Sequence, residues 1–146
     1  SPAFGFTWTW PDGYEPVLAS GDEKGDLVMI SNGKSVALVF TKSTADGTTA
    51  KSCLAAKENA LLTGDSQDVA VGTQSDGSEA RGTTDLGVWV VYDYTDSKGA
   101  PSKEYMECDV DPTGSYVVDF TFIVKTKDLT SEVTNLAALT AGIKFP

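Results

Sequence analysis

Hydrophobic and polar positions alternate with a period of two along much of the chain, most plainly over residues 115–126, SYVVDFTFIVKT. Tyr116, Val118, Phe120, Phe122 and Val124 share one face of that segment, while Asp119, Thr121 and Lys125 leave the other partly polar. This is the mark of a strand with one buried face. Residues 4–10, FGFTWTW, repeat the pattern with Phe4, Phe6, Trp8 and Trp10 on one side and Gly5, Thr7 and Thr9 on the other. Pro11-Asp12-Gly13 ends that strand with turn chemistry. Residues 14–18 predict a short irregular edge, because Pro16 removes a ladder donor, and residues 20–26 predict a polar loop.

Two strands, 27–30 and 34–41, flank Ser31-Asn32-Gly33, and Asn-Gly is the strongest short hairpin signal. In the second of them Val36, Leu38 and Phe40 are expected on the buried face, with Ser35 and Thr41 opposite. Over residues 48–62 the period changes to 3.6, placing Ala50, Cys53, Leu54 and Leu61 on one stripe that only Lys57 interrupts. Thr48 or Thr49 can cap this helix, and Gly64 stands where a left-handed C-terminal cap belongs.

A short strand is expected at 69–72, followed by a long polar loop over 73–87 that is either mobile or functional. Then come strands at 88–95 (Val88, Val90, Tyr92 and Tyr94 on one face) and 104–110 (Met106, Cys108 and Val110 on one face), joined by turns to the 115–126 strand. The three form an antiparallel meander. Its inner face is expected to meet the 50–62 helix through Cys53 and Cys108, with the 4–10 strand as a further cover. A weaker helix pattern at 129–142 would be capped by Ser131 and turn Val133, Leu136 and Ala137 inward, before a final 143–145 strand. The fold class is therefore mainly β (α+β), an antiparallel β-sandwich or barrel-like sheet with one amphipathic helix packed on it, in a single domain spanning 1–146.

Composition narrows the class further. With 40% hydrophobic and 10% aromatic residues the chain can bury a core, and no apolar run reaches the roughly 18 residues of a membrane helix. The net charge of −10 comes without any basic stripe, so nucleic acid and anionic membranes meet repulsion. Membrane insertion is not expected, and the chain reads as a monomer. The only cysteines are Cys53 and Cys108, too far apart for a C-x-x-C site, and both face inward. A disulfide between them is expected, worth roughly 4 kcal/mol by the chain-entropy argument, with two buried free thiols as the alternative. A start at Ser1 reads as a processed chain, and acidity with a disulfide fits a secreted, extracellular one.

Histidine is absent, which removes Ser-His-Asp, Cys-His and His-ligated metal chemistry from this chain. Carboxylate pairs remain open to a glycosidase, yet 21 acidic residues put such pairs on any surface by chance. The acids within 22–26 and 109–111 offer oxygen ligands without EF-hand spacing, and the glycines of GDEKG and GTQSDG lack the context of a phosphate cradle. No catalytic residue, metal or cofactor is expected. The residues singled out for binding are Trp8 and Trp10, as a stacking platform, and Asp76, Glu79 and Arg81 in the 73–87 loop. Each has a structural alternative, core packing for the rings and solvation for the charges.

In size, acidity, β content and cysteine economy the chain resembles the small secreted proteins of fungi that act as elicitors or effectors at the plant surface, including the hypersensitive-response-inducing elicitors. That resemblance implies recognition of a host protein or surface component, with no catalytic residues. The alternatives are a carbohydrate-binding module that uses the N-terminal aromatics on a polysaccharide, and a protease inhibitor that presents the 73–87 loop.

Overall fold

The computed structural model describes residues 1, 3–22 and 25–146. A two-residue strand β1 (Thr7–Trp8) pairs with the last strand, β10 (Ile143–Lys144). All other strands join one antiparallel sheet: β2 (Glu15–Asp22), β3 (Gly25–Ser31), β4 (Ser35–Ser43), β5 (Gln67–Val71), β6 (Arg81–Thr83), β7 (Gly87–Thr95), β8 (Pro101–Val110) and β9 (Tyr116–Lys125). Their spatial order is β2-β3-β4-β9-β8-β7-β5, with β6 also on β7. The fold is thus mainly β and of α+β type, as the alternation predicts. The sheet is a single open one with β2 at one edge, and it carries helix α1 (Ala50–Thr63) on one face and helix α2 (Leu129–Ala141) on the other.

Strand β9 sits in the middle, and both of its faces are used. Tyr116, Val118, Phe120, Phe122 and Val124 form a core with Phe6, Ile30, Val39 and Leu139, under α2 and the two chain ends. The disulfide lies on the opposite face. Cross-strand partners stand on the same side of a sheet, and the register sets Cys108 against Asp119, not against Phe120. The cover expected over the Phe120 face, α1, therefore packs on the other side, where Ala50 and Leu54 meet Val90, Tyr92, Met106 and Val117. Cys53 and Cys108 are bonded there, with Cα atoms 6.2 Å apart.

Several local expectations change with this arrangement. Ser35, Ala37, Val39 and Thr41 are the buried positions of β4, while Phe40 is 40% exposed, because α1 reaches over β7, β8 and β9 and leaves the β3–β4 part of its face open. The irregular edge expected at 14–18 lies in β2, the edge strand, with a bulge between Pro16 and Leu18, but the expected 20–26 loop is replaced by strand, since β2 runs to Asp22 and β3 already begins at Gly25. Glu23 and Lys24, within the expected polar loop, lie outside the described residues. Thr49 caps α1 through a reciprocal pair with Ser52, but Gly64 is extended (φ −83°) and not left-handed. In α2 the inward stripe is Leu129, Glu132, Leu136 and Leu139, leaving Val133 53% exposed. The register of that helix is set by Glu132, whose carboxylate accepts hydrogen bonds from Asn32 Nδ2 (2.8 Å), Ser35 Oγ (2.8 Å) and Asn135 Nδ2 (2.9 Å). Burial works against its charge, yet those donors hold it below the usual carboxylate range.

Candidate functional site

The residues singled out in the sequence fall into two groups at opposite ends of the sheet. Asp76, Glu79 and Arg81 belong to the β7 end. The 73–87 segment there is not a free loop: Thr73 bridges to Glu79, Gln74 N donates to the Ser78 carbonyl (2.8 Å), and β6 lies along β7. Asp76 caps its turn by accepting from Ser78 N (2.9 Å) and Ser78 Oγ (2.6 Å), and those bonds lower its pKa. Arg81 donates to Glu58 on α1 (3.0 Å) and pairs with Glu79 (2.9 Å), while Glu58 also accepts from the Tyr92 hydroxyl (2.7 Å). The guanidinium is engaged in tying the segment to α1 and β7.

Trp8 and Trp10 stand at the other end. The 4–10 stretch has strand pairing only at Thr7 and Trp8, yet from Phe6 through Trp8 to Trp10 its rings pass from buried to half-buried to exposed. Phe4 stacks on Tyr116 at 4.4 Å, and Phe6 is buried. Trp8 meets Phe120 edge-on at 6.2 Å and donates its indole N–H to the Leu139 carbonyl (3.0 Å). Trp10 crosses Trp8 at 5.4 Å and is 36% exposed. The segment is held by Thr9 N bonding to the Gly142 carbonyl (3.1 Å), an approach so close that a Cβ at Gly142 would collide with the Thr9 carbonyl.

Between these rings and the edge hairpin β2–β3 lies a groove of about 440 Å³. Phe6, Trp8 and Trp10 form one wall, Pro16 and Ala19 of β2 the other, and Val28 and Val39 of the sheet the floor. Among the described residues one carboxylate belongs to it, that of Asp26, at the Gly21 end of the hairpin. Asp26 is 4% exposed. Its Oδ2 accepts from the Ser1 hydroxyl and its backbone N–H donates to Thr41 Oγ1 (2.8 Å), while Oδ1 has no hydrogen-bond partner among the described residues. No Lys, Arg or terminal nitrogen lies within salt-bridge distance of it among them. Sequence reading placed Asp26 in a loop; the signal that locates it is the alternation Asp26, Val28, Ile30, which continues the strand two residues earlier.

A second cluster sits beneath α1. Lys57 donates to both Asp119 and Thr121 of β9, and Glu104 of β8 is close enough for its charge to feel Lys57. Burial raises the pKa of Asp119 and Glu104, with Lys57 opposing it in both. The pairing engages two of the three N–H donors of Lys57.

No known protein family matches the sequence, and no curated protein does so either. Among solved structures the chain is similar to the solution structure of cyanobacterial PsbP (CyanoP) from Synechocystis sp. PCC 6803, at 12% identity and a TM-score of 0.49, over 97% of this chain and 87% of that one.

Proposed function

We propose that the chain is an extracellular, non-catalytic binding module whose ligand is a polysaccharide held in the groove between the N-terminal aromatics and β2. The observation that carries this reading is the pair of indoles at the groove mouth. Trp8 is fixed by its bond to Leu139 and by Phe120, and Trp10 is left partly exposed against it. Rigid flat rings that lose little conformational entropy are what stacking on sugar faces requires. The described lining contributes a single carboxylate, whereas glycoside hydrolysis uses two. The elicitor or effector resemblance rests on general character and designates no surface, so the carbohydrate reading is preferred to it; a glycan is also one kind of surface component that such a protein would meet.

Retention on insoluble glucan and chitin tests the proposal. The chain should be retarded on at least one of them, and Trp10→Ala, which removes an exposed ring, should abolish retardation with an unchanged circular dichroism spectrum. Unretarded wild type on both matrices, or a Trp10→Ala variant that binds as well as wild type, would sink it.

A further inference from the structure

The groove carries one feature that stacking on a neutral sugar leaves unexplained, the buried carboxylate of Asp26 with an unpartnered Oδ1. A carboxylate withdrawn from water is costly unless it meets a cation or several donors, and this one has a single hydroxyl donor among the described residues. The rings beside it favour the same kind of ligand, since indole faces attract an ammonium group through their quadrupole. The overall charge of −10 adds attraction for cations at longer range. Neutral hydroxyls can donate to the carboxylate, as Ser1 does, but leave its charge uncompensated.

Resting on the polysaccharide reading above, we propose that the groove selects a glycan of amino sugars with free, protonated amines, such as a glucosamine oligomer. The sugar faces stack on Trp10 and Trp8 in the wall, and the Asp26 carboxylate at the Gly21 end supplies the counter-charge to an ammonium group. In the opposite wall Pro16 and Ala19 carry no polar side-chain groups and Ser20 only a neutral hydroxyl, so the charged side-chain contact falls on Asp26.

Three tetrasaccharides that differ in one substituent separate the parts: the glucosamine tetramer, its fully N-acetylated form, and the glucose tetramer with the same linkage. Measured by calorimetry or tryptophan fluorescence at pH 5.5 and low salt, the glucosamine tetramer should bind at least about 10-fold tighter than the two neutral ones. Raising the salt to about 0.5 M should weaken that tetramer alone, because only its binding depends on charge. Asp26→Asn should bring the three affinities to within about 2-fold of one another. Trp10→Ala should weaken all three. The wild-type salt series stands independently of whether the Asp26 variant folds.

Equal affinity for the three tetramers would overturn the amine selection and leave the polysaccharide reading intact. Binding of butylammonium as tightly as the glucosamine tetramer would overturn it as well, since an amine without sugar would then suffice, as a lysine side chain of a protein partner would supply. No binding of any tetramer would remove both readings.

Discussion

The two faces of the sheet are covered by different physics. Under α2 the cover is rings and aliphatic side chains, Phe4, Phe6 and Trp8 against Tyr116 and Phe120, fastened at the hairpin end by Glu132. Under α1 the apolar contact is smaller, and a disulfide and a half-buried ion pair, Lys57 with Asp119, hold the helix down. An area-driven cover tolerates losing any one contact, whereas a pinned cover depends on few. The comparison also explains where the groove lies. The aromatic face runs out at β2, where the last ring, Trp10, is left partly exposed, while the α1 face runs out at β4 and leaves Phe40 exposed.

The disulfide gives the largest expected effect. Replacing both Cys53 and Cys108 by Ala opens a loop with a sequence separation of 55, and the chain-entropy argument puts the loss at about 4 kcal/mol. Urea unfolding measures it, and hydrogen exchange assigns it: amides of α1 should lose protection well before those of α2 and β9. If both helices lost protection together, the faces would be one cooperative unit and the contrast drawn between them would fail.

Next comes the ion pair. Lys57→Met leaves Asp119 buried without its cation and should cost about 3 kcal/mol, while adding Asp119→Leu should recover most of that loss. A double variant as unstable as the single one would mean that the loss does not come from leaving the Asp119 charge unpaired.

The sequence displays these pieces separately. Lys57 is visible as the polar break in the helical stripe, and Asp119 with Thr121 as the polar side of β9. Their meeting was not legible, because the apolar side of β9 attracts any helix and nothing local says that two helices share one strand. The 129–142 pattern is faint for the same reason: Glu132 sits on the stripe with Leu129, Leu136 and Leu139, and an acid there reads as a defect until Asn32 and Ser35 are brought to it from a hundred residues away. The partial exposure of Trp8 and Trp10 was legible, since the rings nearest a turn are the last to be covered. The groove was not, because β2 carries Pro16 and small residues whose only strand signal is its pairing with β3. Asp26 fell among like residues at a boundary that the masking polarity of its neighbours moved by two positions.

The smallest effect tests the aromatic face where its cover is thinnest. Glu107 stands on the Phe120 side, beside Tyr105, whose hydroxyl donates to it at 2.6 Å, and no lysine or arginine pairs with it among the described residues. Burial is the main cause that pushes its pKa up, to about 7, and neighbouring Asp109 adds to it. The folded value lies above the unfolded one, so the folded protein holds this proton more tightly. Its contribution to stability is full below the unfolded value near 4.5 and is lost as pH rises through about 7. Partial exposure screens the interaction, which reduces the expected loss between pH 4.5 and 7.5 to about 1–2 kcal/mol. Asp119 and Glu104 are shifted in the same direction on the other face, but there Lys57 opposes the shift. The difference between wild type and Glu107→Gln therefore isolates the cation-free carboxylate, and the two stability curves should converge in acid and separate towards pH 7.5 with the variant the more stable. Parallel curves would mean that Glu107 is ionised in both states, and that the aromatic face takes up a lone carboxylate as easily as the α1 face takes up a paired one.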